Sequence, residues 1–173
     1  MNGVTYPEEK QVEWRAKVLK KFQTKQENPT KIYLACPYTH ESKNIRERRF
    51  IIISYLAAHF TNEGYCVYTP ILNGHTMVQY IDLPHDYEFW ETRDKQFLRW
   101  ANEFWQVRLD GWGDSTGMAR ELTYARLLGK TLKTVQLEMN MNEREFSMEC
   151  LLRKIRGDFS DKLNLKIVVK EMS

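Results

Sequence analysis

Short apolar runs of strand length alternate with helix-length amphipathic segments along most of this chain, and that alternation restricts what it can fold into. After the turn-like Asn28-Pro29-Thr30, KIYLAC (31–36) reads as a strand. Pro37 and a polar loop follow. NIRERRFIIISYLAAHFTNEG (44–64) then reads as a helix ended by Gly64, and YCVYTP (65–70) as a second strand. Such a strand, helix, strand unit of about 35 residues has the size of a right-handed parallel crossover. The pattern continues with a loop over 70–85, a helix over 86–101, a strand over 103–109, a helix over 116–128, a strand over 131–137, a helix over 142–156 and a strand over 165–170. The class implied is α/β: a Rossmann/flavodoxin-like open parallel five-stranded sheet with helices on both faces. One strand is untidy. NEFWQVRL (102–109) carries Glu103, Gln106 and Arg108, more polarity than a strand covered on both faces tolerates, so it is expected to be partly exposed or to lean on a subunit.

At 173 residues the chain has the length of one domain. Residues 31–173 form it. Residues 1–30 are expected to be a helical extension, with Val12, Ala16, Leu19 and Phe22 at helical spacing within 7–25. No apolar run reaches the eighteen residues a membrane span needs, and the first residues lack a signal-peptide core, so a cytoplasmic protein is expected. Cys36, Cys66 and Cys150 are odd in number and far apart, which suits reduced thiols. His40, His59, His75 and His85 show no metal-ligand spacing, so a structural metal is not expected. A net charge of +3 suits an anionic metabolite, and without a basic stripe it gives no sign of nucleic-acid binding.

In an open parallel sheet ligands gather where strands run into helices. Three such loops are rich in polar groups: CPYTHES after the first strand, the long segment from Pro70 after the second, and DGWGDSTG after the third. The last leads into GDSTGMARELTYARLLGK (113–130), a helix with capping residues at its start and Gly129 at its stop. Ser115 and the Gly117 amide meet the positive helix N-terminus there, either as an anion seat or only as a cap. Glu121 lies one turn deeper, on the face shared with Met118, Ala125 and Leu128, with no basic residue three or four positions away. Burying an unpaired carboxylate is costly, so Glu121 either reaches water at the margin of that face or is kept for chemistry. Asp94 is either solvated between Arg93 and Lys95 or functional. Arg46, Arg48 and Arg49 either reach an anion from the first loop or form a solvated face. Trp90 and Trp112 are candidates to stack on a base, or core aromatics.

KIYLACPYTH, LPHDYEFW and DGWGDSTGMARELTYARLLGK, in this order and separation, resemble the nucleoside 2-deoxyribosyltransferase-like superfamily over residues 31–137. Most similar is a small branch of it described as a domain of unknown function, related to the 2′-deoxynucleoside 5′-monophosphate N-hydrolases. The resemblance implies that Glu121 is a nucleophile attacking C1′ of the sugar. Asp94 would orient or protonate the leaving base, and Tyr33 would be the site tyrosine beside sugar and glutamate. It also bears on substrate. Members that move deoxyribose between bases carry aspartate six residues before the nucleophile, and monophosphate hydrolases carry serine. This chain has Ser115, and a hydroxyl at a helix N-terminus donates to a phosphate that a carboxylate repels. Pro37 and Tyr38 replace the glycine-containing phosphate loop of those hydrolases, with Arg46 following. The activity the resemblance implies is hydrolysis of the N-glycosidic bond of a (deoxy)nucleoside 5′-monophosphate through a glycosyl-enzyme, requiring no metal or organic cofactor, with a small-molecule nucleotide as partner and a homo-oligomeric assembly. A deoxyribosyltransferase, or a nucleotide-sensing module without turnover, is the alternative.

Overall fold

A computed structural model describes residues 12–13, 28–84, 86–157, 163 and 165–172. The elements in order are β1 (Lys31–Ala35), α1 (Lys43–Asn62), β2 (Cys66–Tyr68), α2 (Pro70–Met77), α3 (Tyr87–Trp100), β3 (Glu103–Val107), a 3₁₀ turn (Trp112–Asp114), α4 (Thr116–Leu127), β4 (Thr131–Met139), α5 (Glu143–Arg156) and β5 (Leu165–Glu171). The strands form one sheet in the order β2-β1-β3-β4-β5. The helix expected over 7–25 lies outside the described residues except at Val12 and Glu13, which are helical.

Alternation along β1 explains both layers. Ile32 and Leu34 enter a core with Ile52, Ile53, Leu56 and Phe60 of α1 and Phe146 of α5. Tyr33 and Ala35 point the other way, to Leu98 of α3 and to Met118 and Ala125 of α4. A strand buried on both faces must be apolar throughout, which is why KIYLA reads as an unbroken run. Gly64 (φ +96°) and Gly129 (φ +64°) turn the chain at the ends of α1 and α4 with positive φ, as their places in the sequence suggest.

Three expectations are corrected. β1, β2, β3 and β4 are parallel, but β5 joins β4 antiparallel, from Lys133 opposite Glu171 to Met139 opposite Leu165. An antiparallel edge strand is a common addition to a parallel sheet. The segment expected as a loop from residue 70 begins with α2, where Pro70 sits at a position whose lost amide costs nothing. Finally, β3 is central and covered on both faces, not exposed. Its polarity is absorbed locally: Glu103 accepts from Trp105 Nε1 at 2.6 Å and pairs with Lys133 at 2.8 Å. Gln106 is buried, and Arg108 lies past the strand end with its guanidinium 4.5 Å from the Trp112 ring centre. The suggestion of a subunit contact through this strand therefore falls.

Candidate active site

The chain leaves β1 to one side for β2 and returns past it to β3, so the sheet's switch point lies between the carboxyl ends of β1 and β3. A cleft of about 280 Å³ opens there, with Pro37, His40, Arg48, Arg49 and Ser115 in its walls. Arg49 is its framework. The side chain is buried, and its guanidinium donates to the carbonyls of Thr39 (3.1 Å), Tyr38 (3.4 Å) and Asp110 (2.7 Å), binding the loop after β1 to the loop after β3. Gly111 makes room for it: a Cβ there would stand 2.9 Å from Arg49 Nη2, at a backbone φ of +77° that already favours glycine.

Ser115 lies at the cleft as the N-cap of α4, its Oγ accepting from the Met118 amide at 3.4 Å. In the first turn the amides of Thr116 and Gly117 have no intrahelical acceptor, so the helix start presents donors and partial positive charge. Six residues on, about 9 Å along the axis, Glu121 is buried with 8% exposure. Its position on the apolar face is thus not a margin. Tyr33, fully buried on β1, donates its hydroxyl to Glu121 Oε1 at 2.7 Å.

A second pair stands beside the first. Tyr68, the last residue of β2, is the register partner of Tyr33, so both rings leave the sheet on the same face, 5.5 Å apart between centres. Tyr68 donates to Asp94 Oδ1 at 3.1 Å, and Arg93 Nη2 lies 3.4 Å from the same oxygen. Asp94 is buried, on α3. Two carboxylates, each held by a tyrosine through one oxygen, are therefore buried on the same side of the sheet, below the cleft rather than in its lining.

Their electrostatics follow from that burial. Burial lifts Glu121 from the ordinary carboxyl range to about 8. The Tyr33 hydrogen bond works against the rise, and the charge of Asp94 adds to it. Burial also raises Asp94, opposed by the Arg93 charge and by the hydrogen bonds from Tyr68 and Arg93. Both tyrosines are pushed upward, mainly by burial and then by the carboxylates, so they stay protonated and act as donors.

The remaining candidates are placed differently. Pro37 lines the cleft, but Tyr38 does not: its hydroxyl is 2.7 Å from His75 Nδ1, against α2. Arg46 is turned onto its own loop, donating to the carbonyls of His40 and Glu41, and the cations in the cleft walls are Arg48 and Arg49 instead. Trp90 donates Nε1 to the Pro84 carbonyl and carries over its ring, at 4.6 Å, the Arg93 guanidinium that pairs with Asp94. Trp112 is 37% exposed on the loop after β3. Sequence reasoning missed Tyr68, because a tyrosine ending an apolar strand reads as core; its one signal is that it occupies on β2 the register place of Tyr33 on β1. Among the described residues no three His, Cys, Asp or Glu side chains gather as metal ligands, and no helix is long and apolar enough to cross a membrane.

Fold and site together define a doubly wound α/β protein with two buried tyrosine–carboxylate pairs beside an anion-favouring helix start at the switch point. Residues 30–137 match the model of the family described as Domain of unknown function (DUF1937), and the chain belongs to that family. Among solved structures it is similar to a 2-deoxyribosyltransferase from the psychrotolerant bacterium Bacillus psychrosaccharolyticus, with 23% identity and a TM-score of 0.42 over 60% of this chain and 69% of that one. No curated protein matches it.

Proposed function

We propose that the protein hydrolyses the N-glycosidic bond of a (deoxy)nucleoside 5′-monophosphate, releasing free base and sugar 5-phosphate. The observation that carries this is the buried Tyr33–Glu121 pair one and a half turns below a helix start that lines the cleft. The sugar's anomeric carbon lies over Glu121 while the phosphate meets Ser115 and the first-turn amides, with Arg48 and Arg49 supplying positive charge in the same walls. Glu143 is already engaged there, accepting from the Asp110 amide at 2.7 Å.

Glu121 attacks C1′ as its carboxylate, and the electron pair of the C1′–N bond leaves with the base, which takes a proton from the Asp94 side. Water then attacks C1′ of the glycosyl-enzyme, freeing Glu121. Tyr33 fixes the attacking carboxylate through Oε1, and the dry surroundings keep it from being dispersed by solvent. Because Glu121 is neutral below about 8 in the empty site, the reactive form requires its proton to move off. The neighbouring Asp94 makes the two carboxylates a coupled pair.

The test is release of free base from a panel of ribo- and deoxyribonucleoside 5′-monophosphates, with Glu121→Ala alongside and a second base in excess. Release that disappears in the variant supports hydrolysis. Exchange of bases moves the assignment to a transferase. Binding, seen by thermal shift, without release from any substrate moves it to a nucleotide sensor. A cytoplasmic location, read from the sequence, and a homo-oligomeric assembly, implied by the family resemblance, belong to this proposal, and sedimentation tests the oligomer.

A further inference from the structure

Glu121 and Asp94 are held alike, but not equally. Glu121 receives one hydrogen bond, from Tyr33, whereas Asp94 Oδ1 receives two, from Tyr68 and from the positively charged Arg93. Tyr68 is itself fixed. Its ring stacks on Phe97 with centres 3.7 Å apart and planes within 9°, and its register pairing with Tyr33 sets the strand position from which the hydroxyl reaches Asp94. Arg93 is held between the Trp90 ring and Met77 Sδ at 3.4 Å. The partners of Asp94 thus come from three directions: Tyr68 on β2, Arg93 on its own helix, and the Tyr33–Glu121 pair on β1 and α4.

We infer that Tyr68 is a positioning residue: with Arg93 it holds Asp94 as the carboxylate that keeps its charge, and so decides that the one proton the two buried carboxylates share rests on Glu121 in the empty site. A donor fixed on a carboxylate stabilises the charged form, and two donors outweigh one when both groups are equally dry. Two like charges in one pocket do not both ionise readily, so fixing the charge on one fixes the proton on the other. The upward displacement of Glu121 to about 8 agrees with this order. The consequence for the reaction is directional. A leaving base arriving at Asp94 meets an anion that attracts its N–H groups, and the transfer that readies Glu121 for attack moves a proton off Glu121 toward the Asp94 and base side. Tyr68 sets how much that transfer costs. This rests on the roles given to Glu121 and Asp94 under the proposed function, so the experiment separates the two.

The full-length protein, labelled with ¹³C at side-chain carboxyls, is titrated by NMR as wild type and as Tyr68→Phe, with Glu121→Gln and Asp94→Asn assigning the signals. Phenylalanine retains the stacking on Phe97, so the variant tests the hydroxyl and not the fold. The wild type is expected to show Asp94 titrating below Glu121. In Tyr68→Phe the Asp94 midpoint is expected to move upward toward that of Glu121, the two curves becoming mixed, and base release is expected to shift its pH profile rather than only its amplitude. An Asp94 curve unchanged in Tyr68→Phe, or an Asp94 that already titrates above Glu121 in the wild type, overturns the inference. Titrations that shift as expected in a protein releasing no base overturn the functional proposal and support the proton placement.

Discussion

Glu121→Gln is expected to stabilise the protein, and increasingly so as pH rises. The folded protein binds the Glu121 proton more tightly than the unfolded chain does, its value lying near 8 against an ordinary 4.5. The stability linked to this group is therefore fully present below about 4.5 and is lost as pH climbs through about 8. Integrated between pH 5 and pH 8, a displacement of that size removes ~3.5 kcal/mol. For a chain of this length each kcal/mol moves Tm by about 2–4 °C, so Glu121 alone lowers the wild-type Tm by about 7–14 °C across that range. Glutamine has the same shape, keeps an acceptor for the Tyr33 hydroxyl and has no charge to desolvate. Groups other than the pair titrate alike in both proteins, so the difference between their stability curves isolates the site. Urea unfolding at half-unit steps from pH 5 to pH 9 measures it. Curves that run parallel to within about 0.5 kcal/mol would show that Glu121 is solvated or paired, and would refute the buried nucleophile. A gain in stability on removing a group is what a site kept for chemistry predicts and a purely structural carboxylate does not.

Because the shared proton passes within the pair from Glu121 toward the departing base, base release is expected to hold nearly level between pH 6 and pH 7 and to fall above about 8, where the pair loses that proton; a rate that rises through this range would show that the base leaves without a proton from the pair. Glu121→Ala is expected to abolish base release while a monophosphate still protects the protein in a thermal-shift assay. Arg49→Met leaves the carbonyls of Tyr38, Thr39 and Asp110 without their donor and is expected to lose ~2–4 kcal/mol in urea unfolding. Gly111→Ala, which meets the same guanidinium, is expected to cost about 1 kcal/mol or more. Ser115→Ala removes the α4 cap and is expected to cost about 1 kcal/mol. It is also expected to raise KM for a monophosphate more than for the corresponding nucleoside, a split that steady-state kinetics reads.

Much of the fold was legible because period and length are local properties. The run at 31–36 is apolar after its first residue and 131–137 has the length and β-branched content of a strand, and the helices at 44–64 and 116–128 are closed by glycines that adopt the positive φ their positions suggest. The direction of β5 was not legible, since an apolar alternation reads the same in either sense and direction is set by the strand beside it. α2 was hidden by Asn73 and Gly74, weak helix formers whose short turn is held by tertiary packing of Ile71 and His75. In the site, the face on which Glu121 lies followed from spacing, but whether it was buried depended on Tyr33, 88 positions away. The RERR run showed which turn carries the arginines without showing which one turns inward. Arg49 does so because Gly111, on another loop, leaves it space.

The sheet's two edges carry a consequence for how molecules of this protein meet. β2 is three residues long, too short a template for an added strand. β5, antiparallel to β4, brings Lys166, Lys170 and Glu171 to the opposite edge, and Lys166 is tied to Glu138 at 3.0 Å. Among the described residues, then, shortness at one edge and charge at the other both disfavour continuation of the hydrogen-bond ladder by another copy of this chain.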